Sequence, residues 1–194
     1  FSIQLVKALG GLPVAVVSSD TRGDYACKLG AVGYINRNDY HHFGRMPELF
    51  GDEYKQWINE FSRFRRRYFK VLGKKVLPKL VIEHSGQDSF PTSLMICDRA
   101  GMVVTIGGTS GYNCDFDVRY LWMHQKRIQG SHYANVRECR EFLSLVNQKK
   151  IAPTMTRVFQ FDETPYAHQE LLQGNIIGNA AVLVNASRTG MGVE

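Results

Sequence analysis

The sequence predicts an α/β protein built on a doubly wound, parallel β-sheet. Three observations lead there. Short apolar runs, Leu-Pro-Val-Ala-Val-Val-Ser (12–18), Lys-Leu-Val-Ile-Glu (79–83) and Gly-Met-Val-Val-Thr-Ile-Gly (101–107), are continuous rather than alternating, as expected of strands buried on both faces. Segments with apolar residues at helical spacing lie between them. Glycines punctuate the ends, at Gly10, Gly11, Gly30, Gly107 and Gly130. Strands that alternate with helices pair in parallel, because each crossover brings the chain back to the same edge.

Each element has its own signal. Phe1, Leu5, Ala8 and Leu9 give residues 1–9 a helical period that stops at Gly10-Gly11. In the first strand, 12–18, Pro13 is tolerable near the start. A helix over 20–29 closes on Gly30, and 33–36 is a second short strand. The long helix, 52–72, carries Tyr54, Trp57, Ile58, Phe61, Phe64, Tyr68 and Leu72 on one stripe, core or interface, with Arg63, Arg65, Arg66, Arg67 and Lys70 mostly off it. Then come a strand at 79–83, a helix at 90–97, a strand at 101–107 and another ending at Gly130-Ser131-His132. Helices over 137–149 and 163–173 and a strand over 180–184 complete the chain. Residues 1–150 read as one domain, and the chain from Ile151 onward as a different layer or lobe.

With 194 residues the chain can bury a full core. Its apolar fraction of 44% and charged fraction of 22% are ordinary for a soluble globular protein. Without an apolar run near 20 residues or a signal-peptide pattern, the expectation is a cytoplasmic protein with no membrane partner. Much of the net charge of +6 comes from residues 63–75 rather than from a basic sheet face with interleaved aromatics, which argues against nucleic acid. That segment is either a solvated helix face or a contact for ligand phosphates. Cys27, Cys97, Cys114 and Cys139 contain no Cys-x-x-Cys pair and read as reduced thiols, with no metal.

The chemistry gathers at the strand ends. Gly107, Gly108 and Thr109 after one strand, and Gly130 and Ser131 after another, free the backbone to approach a flat cofactor ring, beside which His132 projects. In dinucleotide-binding folds, an acid after the second strand accepts from the ribose 2′-hydroxyl, whereas small polar and basic groups admit a 2′-phosphate. Ser18, Ser19 and Arg22 occupy that place, so NADP is favoured over NAD, although Ser19 or Asp20 reads equally as a helix cap. Arg37 either lies against the adenine or its phosphate or faces solvent. Glu83 and His84 end a strand at the ligand-binding edge, where such residues are more often loop-bonded than catalytic. His124 and Arg127 read as packing and surface.

Longer blocks carry a resemblance. Ala-Val-Val-Ser-Ser (15–19), Leu-Gly-Ala-Val-Gly-Tyr-Ile-Asn-Arg (29–37), Phe-Pro-Thr-Ser-Leu (90–94), Gly-Tyr-Asn-Cys (111–114) and Val-Arg-Tyr-Leu-Trp-Met-His-Gln-Lys-Arg-Ile-Gln-Gly-Ser-His-Tyr-Ala-Asn (118–135) resemble the crotonyl-CoA carboxylase/reductases, of the medium-chain dehydrogenase/reductase superfamily. The resemblance implies a Rossmann-like NADP-binding domain over 1–150 that lacks its first strand and glycine-rich turn. Residues 151–194 would be the C-terminal segment of a GroES-like catalytic lobe. It also implies NADPH-dependent reductive carboxylation of an α,β-unsaturated acyl-CoA by CO2, without biotin or metal. His132 would help to hold CO2. Arg99, Arg119 and Tyr120 would lie near CoA at subunit contacts of a homo-oligomer, a dimer or tetramer, and salt-bridged structural arginines are the alternative. A plain enoyl-thioester or quinone reductase and a non-catalytic dinucleotide-binding or oligomerisation module are the other readings.

Overall fold

The computed structural model describes residues 1–186. Helix α1 (Ser2–Ala8) precedes β1 (Val14–Val17), which pairs in parallel with β2 (Gly33–Asn36) across α2 (Asp20–Lys28). Helix α3 (Asp52–Leu72) leads to a second parallel sheet of β3 (Leu80–Glu83), β4 (Met102–Thr105) and β5 (Arg127–Gly130), connected through α4 (Phe90–Ile96) and α5 (Arg119–Trp122). Its register aligns Glu83, Thr105 and Gly130 at the carboxyl edge. The α/β, parallel, doubly wound expectation describes this architecture.

Helices cover both faces of the first sheet. The ring of Tyr34 lies so close to Gly23 that a Cβ there would meet it at 2.3 Å, which is how α2 sits down on β2. The next residue, Ile35, points the other way and joins Trp57, Phe61, Phe64 and Tyr68 of α3. Hence the stripe of α3 is core, whereas Arg65, Arg66 and Arg67 are exposed. Asp52 and Glu53 in its first turn and Lys70 in its last suit the helix dipole, and Gly73 ends it in the left-handed conformation at φ 72°. Met95 and Ile96 of α4, Val14 of β1 and Val81 of β3 pack on the same cluster, so α3 bridges the two sheets. Burying one such phenyl ring contributes roughly 1.5–3 kcal/mol. Phe90, Leu94, Cys97 and Val103 form a second cluster under β4.

Between β1 and β3 there is no ladder. The two strands face one another across a cavity of about 710 Å³ lined by Val14–Val17 of one and Leu80–Glu83 of the other.

Beyond α6 (Val136–Asn147), which starts on an Asn135–Glu138 capping box, β6 (Met155–Phe159), α7 (Thr164–Leu172) and β7 (Asn179–Val182) form a small parallel βαβ unit with its own core of Phe159, Ala167 and Ile176. It is tied back to the N-terminal helix. The Gln4 side chain donates to Ala152 O at 2.9 Å and accepts from Ala152 N at 2.8 Å. Strand β6 was not expected. The strands expected at 12–18, 101–107 and 180–184 run over 14–17, 102–105 and 179–182, with single backbone hydrogen bonds such as Ile106 N to Glu83 O and Leu183 N to Phe159 O continuing past their ends. Residues 187–194 of the expected C-terminal segment lie outside the described residues.

Candidate functional site

The carboxyl ends of β1 to β5 supply the candidate site. Ser18 follows β1, and its carbonyl accepts from Asn38 Nδ2 at 2.7 Å, which ties the loop after β1 to the loop after β2. Ser19 caps α2, its Oγ accepting from Arg22 N at 3.4 Å, so the capping reading of Ser19 is realised. Asp20 accepts from Asn36 Nδ2 at 3.3 Å. Arg22 spends one guanidinium arm on Gly174 O at 2.9 Å, with its side chain still on the cavity wall. Ser18, Arg22 and Arg37 line one side of the cavity, and His84, Ser85 and Thr109 line the other. The structure thus brings Ser18, Arg22, Arg37 and Thr109 around a single cleft, whereas Ser19, Gly107, Gly108, Gly130, Ser131 and His132 do not line it.

The glycines there are not equivalent. At Gly107 a Cβ would stand 3.0 Å from the backbone oxygen of His84, which crowds any side chain there, whereas at Gly108 it would meet the ring of the exposed Tyr112 at 2.9 Å, which is free to turn aside. At Gly130 a Cβ would meet nothing within 4 Å. Packing does not explain that glycine, and the open space beside it suits the approach of a planar group. Ser131 N donates to Thr105 O at 3.0 Å, extending β5 by one bond. His132 then projects, exposed, with its ring 3.8 Å from that of Tyr133, which takes a left-handed φ of 58°.

Glu83, expected to be loop-bonded, is buried and accepts from Ser85 N at 2.7 Å, Gly86 N at 3.0 Å and Ser89 Oγ at 2.7 Å, and from Ser93 Oγ. Neither Ser85 nor Ser110 stood out in the sequence, yet Ser85 O accepts from both the N–H and the hydroxyl of Ser110. The available signal was the row of small hydroxyls, Ser85, Ser89 and Ser93, downstream of a strand-end acid.

The three residues expected near CoA lie elsewhere. Arg99 is exposed in the turn before β4, at the amino edge, opposite the end that carries His132. Its carbonyl accepts from Lys79 Nζ at 3.1 Å. Arg119 forks onto Asp117, with Nε 2.9 Å from Oδ1 and Nη2 2.6 Å from Oδ2, and its guanidinium lies 4.9 Å from the Phe50 ring centroid. Asp117 is buried, and its carboxyl is held below the usual range by the Arg119 hydrogen bonds. Burial pushes the neighbouring Tyr54 hydroxyl, which donates to Asp117 Oδ2, up to about 12. Tyr120 follows on α5, its ring 5.8 Å from that of His124. Arg119 and Tyr120 are therefore adjacent, while Arg99 and His132 are apart.

A parallel sheet with hydroxyls and arginines around a cleft at its carboxyl edge is the arrangement of the dinucleotide-binding folds. The chain belongs to the zinc-binding dehydrogenase family, whose model matches residues 1–148. Within that family it is similar to the crotonyl-CoA carboxylase/reductases. It is 40% identical over 192 residues to the enzyme of Cereibacter sphaeroides, covering 98% of this chain and 45% of that one. The structure of crotonyl-CoA carboxylase/reductase AntE in complex with NADP matches at 50% identity and a TM-score of 0.92, over 96% of this chain and 47% of that one. The 2-octenoyl-CoA carboxylase reductase CinF from a Streptomyces species, in complex with NADP and 2-octenoyl-CoA, matches at 34% identity and a TM-score of 0.85, over 99% of this chain and 42% of that one. The chain spans less than half the length of each of these proteins. Despite the family's name, no group of three or more His, Cys, Asp or Glu side chains suited to a metal ion comes together among the described residues. Nor is any described helix long and apolar enough to cross a membrane.

Proposed function

We propose that this chain forms the NADPH-binding part of an enzyme that reductively carboxylates an α,β-unsaturated acyl-CoA. The observation that carries the reading is the placement of the 118–135 block. It ends β5 at the carboxyl edge, with His132 beside the unfilled space at Gly130, in a chain similar throughout its length to carboxylase/reductases. Ser18, Ser19, Arg22 and Arg37 would hold the 2′-phosphate and adenosine, and Gly107, Gly108, Thr109, Gly130 and Ser131 the nicotinamide half. NADPH supplies a hydride to the β-carbon. The α-carbon, left with the electron pair, attacks CO2 and forms the new carbon–carbon bond of an alkylmalonyl-CoA. Because such a carbanion protonates readily, His132 must hold CO2 over the α-carbon, directly or through an ordered water, without acting as a general acid.

Residues 1–150 are then the NADP-binding domain. Residues 151–194 return toward the catalytic lobe. Arg99, Arg119 and Tyr120 serve CoA across a subunit boundary of a homo-oligomer, in a cytoplasmic enzyme. The exposed edge strand β5, flanked by exposed Trp122, Met123 and Tyr133, supports a contact with a second copy.

The test is product analysis of the intact protein with crotonyl-CoA, NADPH and labelled bicarbonate. Label in ethylmalonyl-CoA is the expected result. Butyryl-CoA alone, with NADPH consumed, would make the protein a plain enoyl reductase, and failure to bind NADPH would make it a non-catalytic module.

A further inference from the structure

We propose that Glu83 is a positioning residue that locks the two loops facing the nicotinamide half of the cofactor into one wall, an inference that rests on the NADPH reading above. Glu83 closes β3, opposite Thr105 in the ladder, and is 4% exposed. Its contacts are all neutral donors, two backbone N–H groups and two hydroxyls. A buried carboxylate without a cation is costly, and it is tolerated only when its lone pairs are filled. Here three donors converge on Oε1 and one on Oε2, drawn from the loop itself (Ser85, Gly86) and from the start of α4 (Ser89, Ser93). Residues 84–89 are pinned from beneath.

The constraint then passes to the neighbouring loop. With its N–H turned to Glu83, Ser85 presents its carbonyl to Ser110, which donates to it from N at 2.7 Å and from Oγ at 2.8 Å. The same Ser110 Oγ accepts from Asp88 N at 3.1 Å, and Gln87 N donates to Gly111 O at 3.1 Å. Gly86 and Gly111 form one further parallel rung past the end of the strands. There is no slack between the loops. A Cβ at Gly86, whose φ is 90°, would meet Gly111 O at 2.5 Å and Gly108 Cα at 2.9 Å. Gly107, Gly108 and Thr109 therefore take their position from a network rooted in the Glu83 carboxylate.

A dinucleotide lies across the carboxyl edge with one half on each set of strands. Ser18, Arg22 and Arg37 sit on the β1–β2 side, so the wall built on Glu83 faces the other half. Glu83→Gln keeps the shape, but it removes the negative charge that draws the four donors and replaces one acceptor oxygen by an NH2 that cannot accept, so the clasp weakens and the wall loosens.

The experiment measures binding of NADPH and of 2′,5′-ADP, which carries only the adenosine half, by calorimetry on the intact protein and on its Glu83→Gln and Ser110→Ala variants. For Glu83→Gln the NADPH dissociation constant is expected to rise about tenfold with that for 2′,5′-ADP within about twofold, and Ser110→Ala should shift the same ratio by a smaller factor. Equal weakening of both ligands, or of neither, would make Glu83 a general fold residue and overturn the proposal. Should Glu83→Gln not fold, Ser110→Ala decides: a selective loss of NADPH supports the wall, and no selectivity overturns it. If the unaltered protein binds neither ligand, the NADPH reading itself fails and this proposal falls with it.

Discussion

Replacing His42 by Phe should remove a pH dependence of stability that originates in the aromatic core. His42 is 1% exposed, with the rings of Tyr40, Phe43, Trp57, Phe61 and Phe64 at centroid distances of 4.6–6.0 Å, and neither ring nitrogen has a hydrogen-bond partner. Burial pushes its pKa down from 6.5 to about 4, against a smaller upward pull from Glu60 and with a further small decrease from Arg63. That depression corresponds to about 3 kcal/mol of penalty for the imidazolium in the folded state. Between pH 6.5 and about 4 the unfolded chain binds a proton at this position that the folded chain refuses, so stability falls as the pH falls through that window. A phenyl ring takes up no proton. Its larger volume costs roughly 1–3 kcal/mol and the loss of two unpaired buried nitrogens returns a similar amount, both equally at every pH. The difference in unfolding free energy between variant and parent should be flat above pH 7 and move in the variant's favour by about 3 kcal/mol at pH 4. Urea titrations at four pH values, followed by fluorescence of the neighbouring Trp57, measure it. A difference that stays constant from pH 7 to 4 would refute the reasoning, since the imidazole would then titrate alike in both states.

Three further outcomes follow from the site. Arg22→Ala should weaken NADPH binding by roughly 1.5–3 kcal/mol and barely change NADH binding, because a single charge-assisted contact to the 2′-phosphate is lost; equal losses for both cofactors would contradict that contact. His132→Asn should leave cofactor affinity intact and lower the ratio of alkylmalonyl-CoA to saturated acyl-CoA at fixed bicarbonate, whereas an unchanged ratio would remove His132 from the CO2 site. Arg119→Ala strips the buried Asp117 carboxylate of its partner and should cost roughly 1–3 kcal/mol of stability, read as a shift in the urea midpoint. If Arg119 also serves CoA, its loss raises KM for acyl-CoA more than for a pantetheine analogue lacking the nucleotide.

The parallel α/β architecture was legible because its strands are continuous apolar runs and its helices are strongly one-sided. The stripe of α3, from Tyr54 to Tyr68, needed no partner to be recognised. Strand β6 escaped for the opposite reason. Met-Thr-Arg-Val-Phe alternates poorly, its register shifts between Met155 and Arg157, and its pairing with β7 depends on a crossover that no local window contains. At the site, Ser19 could be read as a cap from its position before α2, and Glu83 as loop-bonded from its place at a strand end. The ion pair of Arg119 with Asp117, two residues away, and the clasp of Ser85 by Ser110 could not, because both depend on how the loop over 106–118 folds back on itself. The resemblance alone placed Arg99 with the site residues, and the topology puts the turn before β4 at the other edge.

The reciprocal bonds between Gln4 and Ala152 bear on the order in which the molecule assembles. Helix α1 has seven residues, too few to persist alone in water, and much of its fixed partnership comes from a peptide group 148 positions later. Closing so long a loop carries a large entropic cost that is recovered only once β6 and β7 have made their own core. The amide protons of α1 should therefore exchange with solvent ahead of those of α3, although both helices flank the same cleft.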